Sequence, residues 1–451
     1  METNRLHGLF LGTSGVTTDS RAIKGGEMFF ALKGENFDGN EYAMKALELG
    51  AAFAVVNRGS KYDGADERII AVDDTLVTLT DLARYHRENT FVDGKRLTVI
   101  GLTGTNGKTT TKNLIREVLS RKYKVTATQG NLNNDIGVPL SLLKINDETQ
   151  IAVIEMGANH PDDIEKLVKV SEPDFGLITN VGKAHLLGFG SFEGVKEAKG
   201  KLYDWIHAHG GKAFLNADDS DLCEMAHSRA GMEAIPYGIN AWQTEIIPSD
   251  ADHPFLRIAI PVADRQIDLS SDMLHVVDTN LVGSYNANNV LAAIAIGVYF
   301  GVDLIDAIDA VSCFVPDNNR SQMVKTESNS LIVDAYNANP TSMMAALDNF
   351  AMAISDNKVA LLGDMRELGD ESVAEHQAIV RKIREISMTM VCLVGEEFRK
   401  ALEAEGKPEN VRWFADSASL AESLTADPVK GALVLVKGSR GIQMEKAIPA
   451  L

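Results

Sequence analysis

The residues with the clearest chemistry stand in the stretch VIGLTGTNGKTTTKNLI, residues 99–115. An apolar run predicts a strand ending near Gly101, and a helical pattern begins near Lys108. A turn between two such elements aims several backbone N–H groups at one point, and the positive end of the helix reinforces them. Such a point binds phosphate. Gly104, Thr105, Asn106 and Gly107 make the turn, Lys108 offers a cation to terminal phosphates, and Thr109 and Thr110 follow with hydroxyls, of which Thr109 suits Mg²⁺. The stretch is a P-loop in a variant form, because Leu102 occupies the position where the common pattern has its first glycine.

A P-loop alone does not separate a switch, a motor, a kinase and a ligase, so the ends of the neighbouring strands must narrow the choice. In IAVIEMGANH an apolar strand runs into Glu155, where a carboxylate can reach a P-loop magnesium. In FGLITNVGKAHLLGFGS the strand ends at Asn180 and His185 follows at the same sheet edge, the edge at which open α/β sheets bind ligands. EGVKEAKGKLYDW then predicts a short helix carrying Lys196, Lys199 and Lys201, a pattern that on its own describes a solvated face.

The elements that hold these residues fall into three blocks within 451 residues, a length that calls for more than one core. Residues 1–92 read as a small α/β domain, with strands in EMFFAL and AAFAVV and a helix in NEYAMKALELG. Residues 93–316 alternate apolar strands with helices (LTVIGL, IAVIEMG, FGLITNV, KAFLNAD), which predicts a central P-loop domain on a mainly parallel sheet. Residues 317–451 repeat the rhythm in SLIVDAY, KVALLGD, MVCLVG and ALVLVKG and predict a doubly wound, Rossmann-like C-terminal domain, with the hinge in VPDNNRSQ around Pro316. The expected class is therefore α/β in three domains.

Composition limits the function. A formal charge of −19 argues against non-specific nucleic-acid binding, and no apolar run is long enough for membrane insertion. METNRLHGLF has neither the basic nor the apolar region of an export signal, so a cytoplasmic location is expected. Cys223, Cys313 and Cys392 lie far apart without metal-ligand spacing and receive no role.

Taken together, GNLNNDIGVPLSLL, IEMGANH, KAHLLGFGS, SYNANN, DAYNANPTSM, LLGDMRELG and VLVKGSRG resemble the Mur ligases, ATP-dependent amide ligases of peptidoglycan precursor synthesis, almost end to end. Within that family the motifs are similar to the branch that joins D-alanyl-D-alanine to UDP-N-acetylmuramoyl-tripeptide; DAYNANP, residues 334–340, stands where the diamino-acid-adding branch usually has Asp-Tyr-Ala-His-Thr-Pro. The resemblance implies that the tripeptide carboxylate is activated as an acyl phosphate. It implies ATP and two Mg²⁺ sites as cofactors, with Lys108 and Thr109 on the phosphates and first magnesium, Glu155 sharing that magnesium, and His185 and a carbamylated Lys199 at the second. Asn289 in SYNANN corresponds to the family's adenine-binding asparagine, and Arg320, Asp334 and Asn337 to residues by which the third domain closes the ATP site, although Asn319 replaces a common glycine. Ser20, Arg21, Gly34, Asp38 and Gly39 fall in the region that would bind the uridine diphosphate; GDMRELG and KGSRG, with Lys437 and Arg440, would surround the dipeptide or the closed interface. A monomer is expected.

Two other readings stay open on the residues alone. A ligase of the same superfamily adding glutamate or a diamino acid would keep the P-loop, Glu155 and His185. A guanine-nucleotide switch would need Asn-Lys-x-Asp, whereas Asn357-Lys358 is followed by Val359 and Ala360.

Overall fold

A computed structural model describes residues 2–248, 254–261, 274–316 and 320–451. The three-domain α/β architecture is present, and each domain is organised on its own sheet. The first sheet has four parallel strands in the order Val16–Thr17, Met28–Phe30, Phe53–Asn57, Ile69–Val72. The central sheet has six, ordered Val125–Ala127, Ile151–Glu155, Thr98–Thr103, Phe175–Ile178, Lys212–Asn216, Glu233–Tyr237, all parallel. The strand before the P-loop thus lies inside the sheet, with Glu155 in register with Leu102 on one side and Ile178 with Thr103 on the other. The chain turns from one half of the sheet to the other beside it, which is where doubly wound sheets leave a crevice at their carboxyl ends.

The strands are apolar almost throughout because both faces are covered. One face of the central sheet carries Val99, Ile154 and Ile178 into a cluster that continues without a break to Leu6, Met28 and Val55 of the first block. The core therefore does not stop near residue 92. The helix Thr75–Glu88 bridges the two parts: Arg87, wholly buried, pairs with Asp174 at 2.9 Å and donates to the carbonyl of Ser171. The opposite face packs on the helices Lys108–Leu119 and Ala287–Tyr299. Gly297 lets those helices meet, since a Cβ there would lie 2.2 Å from Val118 Cγ1. That contact brings Asn289 under the P-loop.

Several elements escape a pattern reading. A three-stranded antiparallel sheet, Glu245–Ile247, Arg257–Pro261 and Leu274–Asp278, extends the central block. The helix expected to be short runs 17 residues, Phe192–Ala208, and buries one side through Val195, Lys199, Leu202 and Ile206. The third sheet orders Gln322–Lys325, Ser330–Asp334, Leu433–Lys437, Lys358–Gly363, Met390–Val394 and Val411–Phe414, with only the first strand antiparallel. Asp317, Asn318 and Asn319 of the expected hinge lie outside the described residues.

Candidate functional site

The P-loop is shaped by two glycines in left-handed backbone, Gly104 at φ 148° and Gly107 at φ 80°, the latter capping the helix Lys108–Leu119. A side chain at either would also collide: a Cβ on Gly104 would meet Thr179 Oγ1 at 1.9 Å, and one on Gly107 would meet Asn289 Oδ1 at 2.7 Å. The turn is clamped from the adjacent strand end. Asn180 Oδ1 accepts from Asn106 N–H at 2.9 Å, its Nδ2 donates to Asn106 O at 3.0 Å, and its carbonyl accepts from Thr105 N–H at 3.0 Å. Lys108 folds back over the turn, donating from Nζ to the carbonyls of Gly104 at 2.7 Å and Thr105 at 3.0 Å. Burial, with Arg320 nearby, lowers its ammonium to about 8 against the pull of Glu155. An anion in the turn would replace those carbonyl contacts and hold the charge.

Glu155 is buried at the end of its strand. Its Oε1 accepts from Thr109 Oγ1 at 3.2 Å and Asn133 Nδ2 at 2.8 Å, while Oε2 has no hydrogen-bond partner among the described residues and faces Lys112 Nζ at 3.5 Å. A buried carboxylate oxygen that only the Lys112 ammonium approaches, beside a threonine hydroxyl at a phosphate turn, supplies oxygens of the kind that a hard cation such as Mg²⁺ takes. These residues fit the metal.

His185 sits in left-handed backbone at φ 52°, and its Nδ1 bonds the carboxylate of Glu367, which the third domain supplies. Burial outweighs Glu367 and lowers its pKa, leaving a neutral ring able to ligate. Lys199 is 2% exposed and has no carboxylate within ion-pairing distance among the described residues. Burial first, and Lys108 second, push its ammonium well below the ordinary lysine range. Lys196, three positions earlier, shows the ordinary case: it reaches Asp221 and Glu224, each at 3.0 Å, at the surface.

The third domain faces this sheet edge across a cavity of about 1040 Å³. Thr105, Asn106, Gly107, Lys108, Thr110, Glu155, His185 and Asn289 line one side, and Arg320, Asp334 and Asn337 the other. Thr109 reaches the site through Glu155, and Gly104 lies beneath the turn. Asn289 packs under Gly107, with Oδ1 accepting from Thr111 Oγ1 at 3.0 Å and Nδ2 donating to Asn286 Oδ1 at 2.9 Å. Arg320 lies on the ring of Tyr336 at 3.6 Å, and Arg440 approaches the same ring at 5.6 Å. Asp334 and Lys437 are paired neighbours in the sheet register, so Lys437 already has its counter-charge. The two halves touch directly: Asn339 Nδ2 donates to Asn106 Oδ1 at 2.8 Å, and Lys183 meets Glu375 at 2.7 Å.

The first-block residues stand apart from this cavity. Ser20 and Arg21 lie in a short 3₁₀ turn, with Arg21 held by Asp19 at 2.8 Å, and Gly34 and Asp38 belong to the hairpin Lys33–Gly34 and Phe37–Asp38. Gly39 is required there, since a Cβ would lie 2.4 Å from the carbonyl of Leu32. Phe37 stacks on Tyr42 at 5.4 Å, both exposed, an aromatic platform that no spacing in the sequence announces. Asn133, Asn180, Tyr336 and Glu367 likewise stand in stretches whose sequence gives them no individual role. Asn180 had a signal, a polar side chain ending an apolar strand; the others depend on contacts between distant segments.

Comparison with known proteins covers nearly the whole chain. Residues 13–87 match the family model described as Mur ligase family, catalytic domain, residues 102–297 the Mur ligase middle domain, and residues 319–440 the Mur ligase glutamate ligase domain. The UDP-N-acetylmuramoyl-tripeptide--D-alanyl-D-alanine ligase of Bacillus subtilis is 33% identical over 447 residues, covering 97% of this chain and 93% of the relative. A crystal structure of MurF from Acinetobacter baumannii superposes with a TM-score of 0.84 at 30% identity, covering 99% of this chain and 97% of that one. MurF from Thermotoga maritima, solved in complex with ADP, gives 0.81 at 26% identity, with coverage of 98% and 97%. With a phosphate turn, a carboxylate suited to a cation and a third-domain arginine meeting at one cavity, and with relatives of this kind along its full length, the chain belongs to the Mur ligase family.

Proposed function

We propose that this protein is an ATP-dependent amide ligase that joins D-alanyl-D-alanine to UDP-N-acetylmuramoyl-tripeptide in cytoplasmic peptidoglycan precursor synthesis. The observation that carries the reading is the convergence of Lys108, Glu155 and Arg320 on one cavity from two domains. Residues 1–92 bind the uridine diphosphate, through Ser20, Arg21, Gly34, Asp38 and Gly39, with the Phe37–Tyr42 pair offering a stacking face to the base. Residues 93–316 hold ATP, and residues 317–451 close over it and receive the dipeptide.

The chemistry requires activation because a free carboxylate is a poor electrophile with a poor leaving group. The γ-phosphoryl group passes from ATP to the tripeptide carboxylate, giving an acyl phosphate and ADP. The dipeptide amine then attacks the acyl carbon, the amide C–N bond forms, phosphate leaves, and the amine loses a proton. Lys108 and the N–H groups of the turn hold the transferring phosphates, and Arg320 offsets their charge once the third domain is in place. Asn289, which backs the turn, is assigned to the adenine; Asp334 and Asn337 line the closing side.

Magnesium ions, held by Thr109 and Glu155 at one position and by His185 and carbamylated Lys199 at another, would screen the repulsion between the two anions. Lys199 suits that modification because its environment favours the neutral amine that reacts with carbon dioxide, releasing a proton and leaving an anionic oxygen donor. In this reading the protein acts as a monomer.

The test is phosphate release with each substrate omitted in turn. Release is expected only when ATP, UDP-N-acetylmuramoyl-tripeptide and D-alanyl-D-alanine are all present. Equal release without the dipeptide would refute the assignment.

A further inference from the structure

Behind the loop that carries Glu367 lies a histidine that the reading above does not use. His376 is wholly buried in the helix Ser372–Arg384. Its Nε2 accepts from Met365 N–H at 3.0 Å, and its Nδ1 donates to the carbonyl of Ser372 at 2.7 Å. The ring stands edge-on to Phe398 at 4.8 Å. Burial keeps the ring neutral, as an acceptor at Nε2 requires.

The same loop is tied on both flanks. Asp364 caps the helix Glu396–Glu405, accepting from the N–H groups of Glu397 at 3.0 Å and Phe398 at 2.9 Å. Arg366 N–H donates to Ser439 Oγ at 2.9 Å. Two residues beyond Met365 the backbone enters the left-handed region at Glu367, φ 65°, a conformation that costs a non-glycine residue about 1 kcal/mol or more. It persists because the neighbouring residues are fixed. The turn sends the Glu367 carboxylate across the domain interface to His185, itself left-handed, while the Glu367 carbonyl accepts from Leu187 N–H at 3.3 Å.

We infer that His376 is a positioning residue of the ligase site: it holds Met365 so that the strained turn presents Glu367 to His185 when the third domain sits on the central one. The inference rests on the proposed role of His185. His376 touches no reacting group and acts through Glu367.

The two ring nitrogens give a test that separates this role from mere packing. In His376→Gln the amide oxygen reaches the Nε2 position and can accept from Met365; in His376→Asn the amide reaches only the Nδ1 position. Gln is expected to keep kcat for ligation within about threefold, whereas Asn and Glu367→Ala each lose about tenfold or more, with KM for ATP unchanged. The Asn/Ala double variant should be no worse than the poorer single variant, because both break one linkage. Hydrogen exchange of the 363–369 segment in the full-length protein without substrates supplies a readout independent of activity: the Met365 amide should stay protected in wild type and Gln and exchange faster in Asn. Equal turnover and protection in Gln and Asn, or additive losses in the double variant, would overturn the inference. Wild-type turnover in Glu367→Ala would overturn it while leaving the ligase reading intact; a wild-type enzyme that ligates nothing would instead overturn that reading, and the exchange pattern would still decide whether His376 holds the loop.

Discussion

Replacing Asn180 by Ala removes the clamp on the phosphate turn without touching a phosphate ligand. Two hydrogen bonds disappear, Asn106 N–H to Asn180 Oδ1 at 2.9 Å and Asn180 Nδ2 to Asn106 O at 3.0 Å. At about 0.5–1.5 kcal/mol each, the turn loses about 1–3 kcal/mol of preorganisation, a factor of about 5 to 150 in nucleotide affinity if the whole loss appears on binding. Thr179 Oγ1 still donates to Asn106 O at 2.6 Å, which places the expectation toward the lower end. Asn180→Asp makes a sharper comparison. It keeps an acceptor for Asn106 N–H but sets a carboxylate oxygen against Asn106 O and adds a negative charge beside the phosphates. Affinity for ADP and for a non-hydrolysable ATP analogue, measured calorimetrically with magnesium, should therefore fall in the order wild type, Ala, Asp, with Asp weaker than Ala by about tenfold. Thermal midpoints should change little because the turn is half-exposed. An Ala variant within twofold of wild type, or an Asp variant that binds better than Ala, would refute the clamp.

Lys108→Ala should abolish ligation in a protein whose thermal midpoint is unchanged, since its Nζ contacts only loop carbonyls; phosphate release near the wild-type rate would count against it. Lys199→Ala should lose most activity yet leave the fold intact, because it removes a buried amine with no ion-pair partner among the described residues, and acetate or formate should restore part of the rate by returning an oxygen anion; near wild-type turnover without added acid would end the carbamate role. Stability should also carry a histidine signature. His86 is buried, its Nε2–H donates to Ile145 O at 2.9 Å and its Nδ1 accepts from His7, and burial lowers its pKa below 6.5. The unfolded chain binds the proton that the folded chain refuses, so stability present above pH 6.5 is lost as pH falls below it, by up to about 1.4 kcal/mol per pH unit. Urea midpoints between pH 7.5 and 5.5 should fall less steeply in His86→Gln than in wild type; parallel slopes would exclude the effect.

Legibility from the sequence followed the range of the interaction involved. The P-loop is local, so the glycines, Lys108 and Thr109 could be placed from spacing alone, Glu155 from its position at a strand end, and His185 from the loop that follows the next strand. Lys199 looked like one of three surface lysines because periodicity marks which side of a helix is apolar but not what covers it; only the packed helix shows Lys196 among carboxylates and Lys199 buried. The core shared by the first two domains was hidden for the same reason. The resemblance puts GDMRELG at the dipeptide or the closed interface, but the pairing of its Glu367 with His185 arises only when a left-handed turn of one domain meets the other.

The most direct measurement follows oxygen. UDP-N-acetylmuramoyl-tripeptide carrying ¹⁸O in both oxygens of the reacting carboxylate is incubated with ATP, magnesium, D-alanyl-D-alanine and the full-length enzyme, and the phosphate and ligated product are analysed by mass spectrometry. If the carboxylate attacks the γ-phosphorus and phosphate later leaves the acyl carbon, each phosphate released carries one ¹⁸O and the amide carbonyl of the product retains the other. Unlabelled phosphate, with or without product, would contradict carboxylate activation by ATP.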